Sequence, residues 1–421
     1  MRADGNSAFG KSFGLQVYPK ADVAYNFPSS VLPGGFSNLK VRAAIGMAGK
    51  APGPFDNLQS YFAGTVMGDL PAVRVANAGN ELLGPENKVE LETGLDIGLF
   101  SNRIGLELTY YDAEVINGLY PSPIAASQGA YQRVENCCAF LNRGVETALS
   151  ASLVDMPQFS WSASLAYEWN MNRITSFGDK AQPDSLPLYE EDEATGYWSH
   201  VGWRYANSFG GWYELQPLDN VYGEDIRGYF ITEDGDPVHK VTHFPFLRGL
   251  AQPRHMGSIF NTFQLGGNLR ASVQFRGELG AVFQNYTYRD GMRLCQCFDD
   301  ILEWDPLLLP EGASPTDRVR RQFSYDSLVD YWYVPHIDRR DHIRLQDVSI
   351  VYTVPQVFAS RMGLDRTTVT LSGYNLHWWD DCRCEDPNNK SFADDTGERS
   401  TISAFGVPQP RRFLLSVRTR F

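Results

Sequence analysis

Apolar and polar residues alternate along much of this chain with a period of two, the spacing at which successive side chains of a β-strand point to opposite faces. The last residues give the cleanest case: Phe413, Leu415, Val417, Thr419 and Phe421 share one face, and Arg412, Leu414, Ser416, Arg418 and Arg420 share the other. Residues 159–169 repeat the pattern, with Phe159, Trp161, Ala163, Leu165, Tyr167 and Trp169 opposite Ser160, Ser162, Ser164, Ala166 and Glu168. Aromatic residues stand at both ends of that apolar row. Residues 104–111 and 145–153 alternate in the same way, and further strands fit 13–27, 38–48, 88–100, 256–265, 268–288, 341–353 and 367–378.

The links between these strands alternate in length. Pro28 to Ser37, Ser101 to Arg103, Asp155 to Gln158, Gly266-Gly267 and Pro355 to Arg366 are short, whereas 49–87, 117–142, 170–255, 289–340 and 379–410 are long. Structureless links of that length are uncommon in compact soluble domains and ordinary on the outer side of a membrane barrel. The expectation is an all-β chain: an antiparallel up-and-down transmembrane β-barrel portion of about 10–12 strands, with short periplasmic turns and long extracellular loops. About eleven strands is an odd inventory for a structure that must close on itself in lipid, so the missing partners are expected to come from elsewhere, as in an open half barrel.

Composition supports strands over helices as the membrane element. Hydrophobic residues make up 43% and aromatic residues 13% of 421 positions, yet no window approaches the roughly 18 consecutive apolar residues of a membrane helix. A net charge of −13, from 37 basic and 50 acidic residues, excludes a nucleic-acid partner, which needs clustered cations. Acidic clusters at Glu190 to Glu193, Glu233 to Asp236, Asp299-Asp300, Asp380-Asp381 and Asp394-Asp395 read as solvated loop surface, with divalent-cation binding as the alternative. The start of the chain carries no charged-then-apolar leader. The expectation is a carboxy-terminal piece of something longer, or a chain whose signal has been removed.

Several phrases resemble the SusC/RagA-like TonB-dependent outer-membrane transporters. Arg2-Ala3-Asp4-Gly5-Asn6-Ser7-Ala8-Phe9-Gly10 is similar to a strand end of that family, and Asn38-Leu39-Lys40-Val41-Arg42 to one of its strands. The run continues with Gly84-Pro85-Glu86, Glu92-Thr93-Gly94-Leu95-Asp96, Leu108-Thr109-Tyr110-Tyr111-Asp112 and Asn142-Arg143-Gly144-Val145-Glu146. His342 to Pro355, Leu371-Ser372-Gly373-Tyr374-Asn375-Leu376 and Pro408-Gln409-Pro410-Arg411 follow in the family's order. The resemblance implies a 22-strand type of barrel, of which residues 1–421 are the carboxy-terminal portion, without plug domain, TonB-contacting segment or signal peptide in this chain. It further implies import of oligosaccharides or peptides, a SusD-like surface lipoprotein and TonB as partners, and outer-membrane localisation among lipid. Phe413 and the terminal Phe421 resemble the signal read by the barrel-assembly machinery.

The candidate chemistry is sparse. Six cysteines form three close pairs, Cys137-Cys138, Cys295/Cys297 and Cys382/Cys384, all in long links. In an oxidising compartment they are disulfide candidates, and bridges between neighbouring loops would rigidify the mouth. Chelation of a soft metal by the C-x-C pairs is the alternative. Trp198, Trp203, Trp212, Trp332, Trp378 and Trp379 are candidate substrate-binding residues, since an indole face stacks on a sugar or an apolar side chain; packing of loops or an interfacial girdle explains them equally. The seven histidines are scattered, with no metal-protease spacing, nucleophile elbow or phosphate-cradling glycine loop, so no enzymatic activity, cofactor or metal is expected. Two other readings are a self-contained passive outer-membrane pore or surface-binding barrel, and a soluble carbohydrate-binding β protein.

Overall fold

The computed structural model of the chain describes residues 1–66, 70–124, 130, 132–176, 253–285, 287–288, 291, 337–361, 363–388 and 406–420. It also describes the strand segments 185–187, 198–200, 208–215, 217–219, 225–227, 229–231, 237–239, 241–250 and 402–403. Two compact units are distinguished, Met1–Leu153 with Ser164–Leu186 and Ser199–Tyr205, and Val154–Ala163 with Pro187–Trp198 and Ala206–Phe421.

Among the described residues the largest sheet has eleven strands. In chain order they are β1 (Lys20–Asn26), β2 (Phe36–Lys50), β3 (Glu86–Leu99), β4 (Ile104–Pro123), β5 (Gln132–Met156) and β6 (Phe159–Ser176), then β7 (His255–Leu265), β8 (Leu269–Leu279), β9 (His342–Thr353), β10 (Thr367–Asp380) and β11 (Arg412–Thr419). Each strand pairs with its neighbours in sequence and with no other, so the sheet is a plain up-and-down meander. β1 and β11 are its two edges and are not hydrogen-bonded to each other. The alternation of short and long links follows directly: in an antiparallel meander successive connections fall at opposite strand ends.

Turn chemistry explains the short links. Pro28 opens the β1–β2 link and a single 3-10 turn, Ser29–Val31, fills it. Between β3 and β4 the backbone passes through three left-handed residues, Phe100, Ser101 and Asn102, a costly conformation for side chains with a Cβ. Neighbours hold it: Phe100 N–H donates to Gly35 O at 2.7 Å and Asn102 N–H to Ser37 Oγ at 3.0 Å. Only Pro157 and Gln158 separate β5 from β6.

Three expectations need correction. Residues 117–142 are not an irregular loop, because β4 and β5 stay paired as far as Pro123 and Gln132, with a bulge between Val115 and Gly118. Residues 268–288 are not one strand: Gly280 takes a left-handed turn at φ +85°, and Val282–Asn285 leaves the large sheet to pair with Ile337–Arg339 and, in parallel, with Ile402–Ser403. Residues 13–27 break at Pro19, which has no N–H for a ladder; Gln16–Tyr18 pairs instead with Arg2–Asp4. The long link after β2 also contains a hairpin, Ser60–Val66 with Leu70–Asn77.

Candidate functional site

The ladder registers turn the alternation of single strands into two continuous faces. In the first unit Tyr25, Val41, Leu95, Leu108 and Thr147 stand side by side across β1 to β5. In the second, Phe263, Ala271, Ile350, Leu371 and Leu415 do the same across β7 to β11. These rows are apolar and open to their surroundings: Leu371 is 51% exposed, Phe413 73%, Leu415 67% and Val417 62%. A sheet in water would bury such a face, so its natural solvent is hydrocarbon. Where the apolar face ends, polar partners appear: Tyr110 donates its hydroxyl to Asp112 at 3.2 Å and Arg143 pairs with Asp112 at 3.2 Å. In the second unit Trp161 donates from Nε1 to Asn261 at 3.1 Å and stacks on Phe263. Aromatic side chains with polar handles beside an apolar row fit an interfacial girdle.

The opposite face is mostly polar, and its contacts explain the sequence phrases as partners of one another. Gly94 lies between Arg42 on β2 and Thr109 on β4. A Cβ there would stand 2.6 Å from Arg42 Cζ, so the glycine lets the guanidinium cross β3 to reach Thr109 Oγ1 at 2.6 Å and Asp96 at 3.4 Å. Lys40 meets the same Asp96 at 3.2 Å. In the next pair Gly144 leaves space for the Tyr111 hydroxyl, which accepts a hydrogen bond from Asn170 Nδ2 at 2.6 Å; the same Nδ2 reaches Asn142 at 3.0 Å. In the second unit Ser349 meets Ser372 at 2.9 Å, Gln346 donates to Asn375 at 3.1 Å, and Asn375 reaches Pro410 O.

At the long-link end of β8 to β10 the polar face is built over by its own links. Arg344, on β9, is fully buried; it pairs with Asp386 and lies 5.0 Å from the Trp378 ring, while its Nε and Nη1 find no hydrogen-bond partner among the described residues. Asp386 also accepts from Asn388 N at 2.9 Å and from Gln409 N at 3.1 Å, joining the outgoing and returning legs of the last long link. Arg340 donates to Glu278 at 3.1 Å and to Pro387 O at 3.1 Å; burial pushes its guanidinium below the ordinary value against the pull of Glu278. Arg383 pairs with Asp338 at 2.6 Å, and Asn285 donates to both Asp338 and Arg383 O. The links 280–341 and 381–411 are thereby tied to each other and to the strand ends.

In the first unit the link after β2 is fastened by asparagine amides. Asn77 donates to Phe55 O at 3.2 Å, Asn57 to Phe9 O at 3.2 Å, Asn80 to Val134 O at 3.0 Å and Asn136 to Gly84 O at 3.0 Å. Gly10 of the opening phrase fits where a Cβ would stand 2.2 Å from Glu81 O, and its N–H donates to Leu83 O at 2.7 Å.

Of the sequence-derived candidates, Trp378 faces Arg344 on the polar side. Trp379 lies on the apolar row, against His377 at 4.6 Å and Phe275 at 6.3 Å. Trp198 and Trp212 sit on the short strands Trp198–His200 and Ser208–Leu215; Trp203 and Trp332 lie outside the described residues, as does Phe421. Phe413 stands on edge strand β11. Cys137 is joined to Cys138 and Cys382 to Cys384, each within one segment, so these four cysteines do not form the expected bridges between neighbouring loops; Cys295 and Cys297 lie outside the described residues. Among the described residues no group of three His, Cys, Asp or Glu could hold a metal ion. Sequence reasoning reached Asp386 only as an acidic neighbour of Cys382 and Cys384 and missed its pairing with Arg344. The available signal was a basic residue on the polar row of a strand otherwise flanked by Ile343 and Leu345.

The chain matches the model of the TonB dependent receptor-like β-barrel family over residues 1–376. It is 24% identical to TonB-dependent receptor P3 of Formosa agariphila over 450 aligned positions, covering 100% of this chain and 43% of the relative. TonB-dependent receptor SusC of Bacteroides thetaiotaomicron is 24% identical, over 69% of this chain and 30% of its own length. Among solved structures, that of the RagAB peptide transporter superposes with a TM-score of 0.74 at 17% identity, over 99% of this chain and 44% of the other. The chain thus spans a little under half the length of the relatives it matches from end to end. It belongs to the TonB-dependent receptor-like β-barrel family, as a SusC/RagA-like member whose strands are those of an integral outer-membrane protein.

Proposed function

We propose that this chain forms part of the wall and mouth of a TonB-dependent importer of oligosaccharides or peptides. The observation that carries the reading is the open-edged meander with an apolar face outside and a charged, hydrogen-bonded face inside. Lipid solvates the first face, the second lines an aqueous lumen, and both edges need further strands, because an unpaired backbone edge is costly in hydrocarbon. The match of the whole chain to under half of a TonB-dependent receptor supports a larger barrel, of the 22-strand type, completed by strands and a plug outside these residues.

In this reading the long links face the cell exterior and receive ligand, assisted by a SusD-like surface lipoprotein, while TonB acts from the periplasm on the plug. The tryptophans of the long links, Trp198, Trp203, Trp212 and Trp332, with Trp378 on the polar side of β10, contribute the stacking surface, whereas Trp379 on the apolar row faces lipid, and the paired cysteines stiffen the link backbones. Phe413 and Phe421 are read by the assembly machinery; deleting Phe421 lowers membrane yield without lowering synthesis, and an unchanged yield contradicts that role.

The test of transport is uptake of labelled oligosaccharides and peptides by cells carrying the protein, with and without TonB. Energised import predicts uptake that disappears when TonB is removed. Uptake that persists without TonB favours the passive pore.

A further inference from the structure

The link between β9 and β10 contains a feature that the wall does not require. A six-residue helix, α1 (Gln356–Arg361), follows Pro355, and Phe358 N–H and Ala359 N–H both donate to Pro355 O, at 2.9 and 3.2 Å. Its end is closed by Gly363, left-handed at φ +74°, with Leu364 N–H donating to Ala359 O at 3.0 Å. Ala359 is fully buried and fixes the helix against the protein. The adjacent Val357 and Phe358 are 64% and 57% exposed.

A turn in water has no use for two large apolar side chains held outward on a fixed helix. Three further observations say what covers them. First, they continue an interface already present, because the apolar row reaches this strand end through Tyr352, Val369 and Val417. Second, other exposed large apolar residues stand in the short links or at the strand ends that flank them: Phe27, Val31 and Phe36, Phe100, Met156 and Leu265. Third, the helix lies among exposed cations. Arg361 ends it, and Arg366 and Arg420 are joined to the link by backbone hydrogen bonds, Arg420 N–H to Arg366 O at 3.1 Å and Asp365 N–H to Arg420 O at 2.8 Å. The neighbouring carboxylate, Asp365, accepts from Gln356 at 3.3 Å.

Geometry sets the depth. From Ile343 to Tyr352 the apolar row of β9 covers about 30 Å of strand, which at the usual barrel tilt spans roughly the 25 Å apolar band. The helix lies just beyond it, at the level of the headgroups and the first acyl carbons; opposite buried Ala359, the side chains of Val357, Phe358 and Arg361 share its outer face, so that apolar groups meet the acyl boundary while the long arginine side chain extends to the phosphates.

We propose that α1 is an interfacial helix docked on the phospholipid leaflet at the short-link end, with Val357 and Phe358 in the acyl boundary and Arg361, Arg366 and Arg420 at headgroup phosphates. This rests on the membrane-spanning reading of the sheet and fixes how deep that end sits. The partner is the lipid surface, and a soluble or plug-borne protein face is the competing occupant.

The test is site-directed spin labelling of the protein as isolated from outer membranes, reconstituted in phosphatidylethanolamine/phosphatidylglycerol vesicles. Labels are placed at V357C, F358C, L371C on the apolar row, and K11C as an aqueous reference. Collision with oxygen, which concentrates in lipid, is compared with collision with a water-soluble nickel chelate. The expected result is an oxygen preference at 357 and 358 several-fold above that at 11, and below that at 371. Nickel accessibility at 357 and 358 equal to that at 11, with 371 still oxygen-preferring, overturns the docking and leaves the membrane-spanning sheet intact. Low accessibility to both reagents at 357 and 358 assigns the helix to a protein face and also overturns it. Nickel accessibility at 371 removes the spanning sheet, and the proposal with it.

Discussion

Arg344 and Asp386 concentrate the energetics of the long-link end into one contact. The guanidinium is fully buried, and among the described residues two of its nitrogens have no hydrogen-bond partner and Asp386 and the Trp378 ring offset its charge. Removing one partner of a buried pair leaves an uncompensated charge and costs about 3–5 kcal/mol. Asp386→Asn is therefore expected to destabilise the protein by that order in denaturant titrations and to expose 381–411 to protease. The pair replacement R344M/D386L, which removes both charges, should recover most of the loss; equal losses in the two variants would contradict the buried-charge account. The Arg42–Gly94–Thr109 crossing is the same lesson on a smaller scale. Its three residues were each visible as motif letters, but their dependence on one another is set by a register that no local pattern reveals.

Single strands were legible because lipid on one side and water on the other impose a strict period of two. Each of the eleven sheet strands overlaps a range that alternation assigns, although those beginning at Phe36, Glu86, Gln132 and His255 start before it. Alternation failed where a strand leaves the sheet or outlasts it. Val282–Asn285 keeps a strand-like sequence after Gly280 yet pairs with residues more than fifty positions away, and the β4–β5 ribbon runs on beyond the apolar rows, where nothing forces a two-sided pattern. The two faces make a direct prediction. Leu371→Arg, on the apolar row between the bilayer midplane and the short-link interface, should cost about 1–3 kcal/mol, between the costs at those two depths, whereas Thr370→Arg, on the polar row, should cost far less. Folding titrations in lipid vesicles give the comparison, and equal costs would mean that the two rows see the same solvent.

The large sheet ends in two free edges, and that property separates the possible functions. A self-contained pore has to join β1 to β11, as both strands carry backbone groups that hydrocarbon cannot satisfy. Part of a larger barrel keeps them apart, each paired with strands outside these residues. The candidate binding surface was less legible than the wall, because long links owe their shape to contacts such as Asp386 with Gln409 and Asn136 with Gly84, remote in sequence and free of periodicity. The most direct measurement is cross-linking in intact outer membranes between cysteines placed at Val23 on β1 and Val417 on β11, both on the apolar row. The account predicts no disulfide or short bismaleimide cross-link between them under conditions that join V369C to V417C, a neighbouring pair in the ladder. Efficient V23C–V417C cross-linking within one molecule would show that the sheet closes on itself and would contradict the importer wall.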